Sequence, residues 1–271
     1  TVVPTGWPNP NETEYTPEKD RQRQQGDKLW KVLVPRWGTS ADGQWYWKAD
    51  TSSDELDGHY FFHATYYDLV CETEAEKEEV RKVIVALTDH LLNNNFQLID
   101  HDGQPTRWAV YDPERFNGEI GWFMERGLNS LSILSYLSVA HHMTGDRKYA
   151  DAMQRLMDEH GYHINMLYPK FQFGPGSGNQ SDDEMAFMSY YNLLKYAPKD
   201  SKLYDAAAFS FWSYWQLERF ELNPLFNFMF AAQIDEARFT SAFSDIPLAP
   251  RGPWLEQSID SLKRYPLDRF N

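Results

Sequence analysis

From position 52 onward apolar residues recur at helical spacing, and two kinds of stretch alternate. Residues 52–71 carry Leu56, Tyr60, Ala64 and Tyr67 with further aromatics on other faces, which predicts a helix buried almost all round. Residues 73–94 place Val80, Val83, Ile84, Leu87 and Leu91 on one stripe behind Glu74, Glu76, Glu78 and Glu79, the sign that the dipole of a helix start favours. An outer, amphipathic helix covering an inner one follows from that contrast. The pairing recurs as 122–144 with 146–160 and as 181–196 with 201–221, while 223–232 opens a fourth inner helix and 254–264 forms the last.

One stretch breaks this rhythm. Phe96 to Tyr111 holds two short apolar runs around Asp102-Gly103, a hairpin signal. The fold class is therefore all-α, an incomplete α/α toroid of inner and outer helical hairpins with one inserted β-hairpin near residues 96–111. Residues 1–44, polar and with prolines at 4, 8, 10 and 17, read as an extended N-terminal arm, and 45–271 as the toroid domain.

Two of the inner helices open on similar acidic runs, Asp50-Thr51-Ser52-Ser53-Asp54-Glu55 and Ser181-Asp182-Asp183-Glu184. Both contain a capping box, in which Glu55 or Glu184 reaches back to the backbone at Ser52 or Ser181. Capping accounts for the glutamates and leaves Asp54 and Asp183 as the catalytic candidates. Glycosidic cleavage needs a protonated carboxyl as acid and a second carboxylate as base or nucleophile, and burial among aromatics raises one pKa to supply the acid.

Other polar residues lie near predicted helix starts. Arg126, in Glu125-Arg126-Gly127-Leu128-Asn129, suits a substrate carboxylate, which arginine binds through two parallel hydrogen bonds; an internal pair with Glu125 or with one of the acids of the two runs is the alternative, and Asn129 matters with Arg126 in a lyase. Arg107 beside Trp108 is a second anion-binding candidate. Glu55, His59 and His63 fall on one helical face, without a third ligand or a His-Glu-x-x-His motif that would make a zinc site. His63 reads as a core histidine and His59 as a proton-transfer or substrate-binding residue. Asn223 before Pro224 is a helix cap by default and a substrate ligand in the sharper reading. The loop 174–179 with its three glycines leads into the second acidic run.

Composition narrows the field of functions. A net charge of -14 argues against nucleic acid and anionic membrane as partners, and no run of about 18 apolar residues predicts a membrane span. Cys71 is the only cysteine, so no intrachain disulfide forms. Sequons at Asn11 and Asn179 matter only in a eukaryotic source. The start at Thr1 suits removal of a signal peptide or excision from a longer chain with other domains, and the expected location is secreted or periplasmic. Aromatic residues make 16% of the chain; beside carboxylates their faces suit sugars, although helical cores are also aromatic-rich.

With Trp47, the two acidic runs and Glu125-Arg126-Gly127 laid out, residues 45–235 resemble the helical-toroid carbohydrate-active enzymes, glucuronidases and unsaturated glucuronyl hydrolases in particular. The resemblance implies a glycoside hydrolase acting on uronic-acid glycans. The expected catalytic pair is Asp54 and Asp183, and the expected substrate-binding residues are Trp47, Glu55, His59, Arg126, Asn129, Asp182, Glu184 and Asn223. No cofactor and no metal are expected, and the expected partner is an oligo- or polysaccharide. The alternatives are a polysaccharide lyase, with a Tyr or His base and with Arg or Asn neutralising the uronate, and a glycan-binding domain without chemistry.

Overall fold

The computed structural model describes residues 2–170, 180–234, 238–240 and 245–264. The chain divides into two compact units, one of Thr1–Leu56 with Asp89–Asp112 and the other of Asp57–Thr88 with Pro113–Asn271. The described residues are mostly helical and the sheets are small and antiparallel, so the all-α class with an inserted hairpin holds.

The first unit begins with β1 (Val2–Pro4), α1 (Pro10–Thr13) and α2 (Pro17–Gly26), followed by β2 (Trp37–Thr39) and β3 (Trp45–Lys48). Within the stretch 1–44, expected as an extended arm, Pro10–Thr13 and Pro17–Gly26 are helical. Their starts carry a readable signal: Asn9 before Pro10 and Thr16 before Pro17 put a capping side chain ahead of a proline already set to a helical φ. The strands pair in the order β1-β3-β2. Asn11 ties helix to sheet, because its amide donates to the Trp37 carbonyl at 2.9 Å and its oxygen accepts from the Trp37 N–H at 2.9 Å.

Charge organises this unit. Arg36, 1% exposed, donates to Asp20 at 3.0 Å and to Asp50 at 2.9 Å. Asp50 also accepts the Arg107 backbone N–H at 2.8 Å, and its own N–H donates to Asp100 at 2.8 Å. These bonds hold Asp50 at φ 57, a left-handed conformation that aspartate tolerates better than most residues. Lys31 reaches Asp100 at 3.3 Å and Asp102 at 2.8 Å.

The unit boundary falls inside the next two helices, α3 (Ser53–Leu69) and α4 (Glu74–Asn93). Back in the first unit, the hairpin is β4 (Gln97–Ile99) with β5 (Pro105–Val110), turning at Asp102-Gly103 as expected.

The second unit adds α5 (Pro113–Gly118), α6 (Arg126–Thr144), α7 (Arg147–His160), α8 (Tyr162–Asn165), α9 (Gln180–Tyr196), α10 (Lys202–Glu218) and α11 (Pro224–Ile234). It ends in β6 (Arg238–Thr240), β7 (Asp245–Pro247) and α12 (Trp254–Arg264). Helix α6 is the centre of its core, buried at every residue from Gly127 to Ala140. It packs on α7 through a tight reversal in which Gly145 sits at φ 69 and returns an N–H to the His141 carbonyl.

Inner helices run parallel. Asp57 accepts from Ser189 at 2.8 Å and from Ser132 at 3.4 Å, and further along all three helices Asp68 bonds His142 at 2.8 Å and Tyr196 at 2.9 Å. Between these levels Tyr60 stacks on Tyr136 at 4.0 Å. Burial pushes Asp68 up, but hydrogen bonds from Lys195, His142 and Tyr196 outweigh it and hold the carboxyl below its usual range. The expectation that α3 is buried almost all round fails on one face, where Phe62 is 57% and Leu69 74% exposed. Aromatic content therefore overstated its burial.

Candidate functional site

Each expected residue has a definite place. In the first unit Trp47 lies on β3, half exposed, with its ring against His101 at 5.5 Å. Glu55 caps α3 as the capping box requires, accepting the Ser52 N–H at 2.8 Å, and it also pairs with Lys48 at 3.6 Å. Asp54, beside it in the first turn, is exposed. Arg107 is committed internally: it pairs with Asp27 at 2.6 Å and stacks over Trp108 at 3.7 Å, which corrects its reading as an anion site.

In the second unit His59 is exposed and stacks on His63, whose ring nitrogen meets the His59 carbonyl at 2.7 Å. His63 is therefore not a core histidine. Asn223 accepts the Leu225 N–H at 3.0 Å, so its side chain serves as the cap of α11. Helix α9 already includes Gln180 and Ser181, so Ser181 is not its cap, and the Ser181–Glu184 capping box does not stand. Glu184 is exposed, Asp182 half-buried and Asn129 buried. The glycine loop 174–179 and the Asn179 sequon lie outside the described residues.

What the fold does bring together is a set of groups at the N-terminal ends of α6 and α9. A cavity of about 330 Å³ is lined by Phe123, Arg126, Gly127, Ile164, Asn165 and Tyr168. Arg126 lies 5.3 Å over the Phe123 ring, and Tyr168 is 74% exposed. Gly127 is required here, since a Cβ would stand 1.9 Å from the Tyr168 carbonyl oxygen. That contact seats the segment after α8 against the start of α6. Two residues beyond Tyr168, within about 7 Å along the chain, Lys170 donates to Asp183 at 2.6 Å.

Asp183 is 2% exposed and also accepts a short hydrogen bond from the Tyr214 hydroxyl. Burial and the Asp183 charge push the Tyr214 hydroxyl far above its ordinary pKa, so it stays a donor across the physiological range. Asp183, Glu218 and Glu221 bring carboxylate oxygens within 4.8 Å of one another. Such a trio is a hard-cation donor set, and in this arrangement the Lys170 ammonium supplies a positive charge at Asp183.

Sequence reasoning missed Lys170, Tyr214, Glu218 and Glu221. The last three recur at i, i+4 and i+7, a shared helical face that offered a signal. Lys170 offered none, because only the fold of the 166–170 segment brings it to Asp183. Comparison of the chain with protein-family models, curated proteins and solved structures finds no match. Among the described residues no helix is long and apolar enough to cross a membrane.

Proposed function

We propose that the chain is a carbohydrate-active enzyme, a glycoside hydrolase that takes uronic-acid-containing glycans at the helix mouths of its second unit. The observation that carries this reading is the cavity of Phe123, Arg126, Asn165 and Tyr168, joined by two residues of chain to the carboxylates around Asp183. Aromatic faces take the C–H face of a pyranose, Arg126 takes its carboxylate, and the Asn165 amide takes a hydroxyl.

Hydrolysis then uses the carboxylates. Asp183, oriented by Lys170 and Tyr214, works with Glu218 and Glu221, partners in its own unit, in place of the Asp54 pairing that the sequence suggested. Glu221 is the half-buried member with access to solvent.

A lyase reading has one observation of its own: Arg126, Asn165 and Tyr168 line a single cavity, the set that neutralises a uronate and removes its proton. Product analysis on uronic-acid polysaccharides separates the two. A hydrolase releases reducing ends, whereas a lyase also generates an unsaturated product absorbing in the near ultraviolet. Asp183→Asn is expected to lower hydrolysis at least about 100-fold, and Arg126→Ala to raise KM for uronate substrates over neutral ones. Full turnover in Asp183→Asn would sink the hydrolase, and binding with no turnover by wild-type protein would leave a glycan-binding domain.

A further inference from the structure

We propose a second binding site, for a carboxylated sugar, in the cavity formed by α10, α11 and the turn leading into α12. This cavity has a volume of about 650 Å³, within the roughly 300–1,000 Å³ typical of ligand sites. Two arginines, Arg219 and Arg251, line it on a chain whose net charge is -14. No carboxylate among the described residues pairs with either guanidinium. Arg219 instead lies 5.6 Å from the Trp215 ring and 4.9 Å from the Phe220 ring, which leaves its hydrogen-bonding edge available to a ligand.

The walls are built rather than incidental. Trp215, fully buried, donates its indole N–H to Asn227 at 2.9 Å; Asn227 donates to Ser258 at 2.9 Å; and Ser258 donates to the Trp254 carbonyl at 2.6 Å. That chain joins α10, α11 and α12 through two residues, Asn227 and Ser258, that are almost completely buried. It also explains why α12 turns a serine inward while Leu255, Ile259 and Leu262 stay exposed. Holding the polar chain in place is what fixes the cavity's shape.

The lining defines the ligand. Two arginines suit a carboxylate, which guanidinium groups bind through paired hydrogen bonds. Phe220 and Trp254 offer ring faces for the C–H side of a pyranose, and the Gln216 and Gln257 amides offer partners for its hydroxyls. A bare inorganic anion would use the arginines and leave the aromatic walls idle. Only the choice of sugar as the ring body rests on the proposed carbohydrate function; the pairing of anion with aromatic wall stands on the cavity itself.

Isothermal titration calorimetry with trigalacturonate tests the site, with a neutral galactose trisaccharide and inorganic phosphate as comparison probes. Because Arg126 belongs to the first uronate cavity, the titrations use an Arg126→Ala background: saturable trigalacturonate binding is expected there, and it is expected to weaken about ten-fold or more when Arg219→Gln/Arg251→Gln is added. An Arg219→Lys/Arg251→Lys variant, which keeps the charge but loses the paired geometry, is expected between the two. Equal binding by the Arg126→Ala background with and without either pair of arginine changes would overturn the proposal, as would equal affinity for the neutral trisaccharide. Phosphate binding as tight as trigalacturonate would overturn the sugar and leave an anion site. Turnover of uronate polysaccharide is scored separately, so a catalytic failure with intact trigalacturonate binding refutes the hydrolase and leaves this site standing.

Discussion

Asp54 and Asp183 occupy the same place in two matching four-residue frames, yet one is exposed and the other is 2% exposed. The two frames sit differently on their helices, and different neighbours meet each carboxylate. Helix α3 starts at Ser53, directly after its cap, so Asp54 is its second residue; α9 starts at Gln180, so Asp183 is its fourth. Lys170 and Tyr214 pack on Asp183, whereas Asp54 lies on an exposed part of its first turn. A shared motif therefore carries composition into both places, while the packing around each helix decides whether the carboxylate is buried. The same comparison separates the glutamates: Glu55 caps its helix, and Glu184 stands exposed in the second turn of its own.

The first acidic run is anchored by Arg36, and breaking that anchor gives the largest expected effect. Arg36→Met leaves Asp20 and Asp50 buried without their shared cation, a loss of about 3–5 kcal/mol that urea unfolding would read as a lower midpoint. A change below about 1 kcal/mol would show that Asp50 is held mainly by backbone donors.

Asp100 links the hairpin to this run and gives a pH-dependent test. Burial pushes its carboxyl up, but hydrogen bonds from His101 and from the Asp50 N–H, with the Lys31 charge, win and hold it below the usual range. A lowered folded pKa stabilises above the unfolded value, and the contribution is lost as pH falls through the folded value. Asp100→Asn is therefore expected to cost about 1.5–3 kcal/mol at neutral pH, with the gap from wild type closing below about pH 4. A gap constant with pH would assign the effect to packing.

The smallest contrast is the sharpest for the frames themselves. Glu55→Ala is expected to cost about 1 kcal/mol through loss of the cap, whereas Glu184→Ala is expected to stay within about 0.5 kcal/mol. Equal melting shifts in the two variants would erase the distinction drawn from the helix starts.

Much of the fold was legible because its signals are local. Helix α12 was expected at 254–264 and forms there, and the Asp146 start and Gly145 turn bound α7 as their residue types dictate. The hairpin around Asp102-Gly103 is equally local. The three-stranded sheet was not legible, because β1 and β3 lie far apart in sequence and each is only a few residues long. At the candidate site, Arg126 was readable from its place before an apolar helix. The cavity it lines was not, because Asn165 and Tyr168 arrive from a different segment.

By itself, the sequence determined the helical class, most helix boundaries, the inserted hairpin and the cap at Glu55, since each depends on periodicity, turn chemistry or hydrogen bonds spanning a few residues. Only the tertiary structure decided that Asp183 is buried against Lys170 and Tyr214, that Arg107 is spent on Asp27, and that Arg219 and Arg251 share one cavity. Those outcomes depend on which faces meet after packing, and the direction of a side chain around a helix axis is set by that packing rather than by the residue's immediate neighbours.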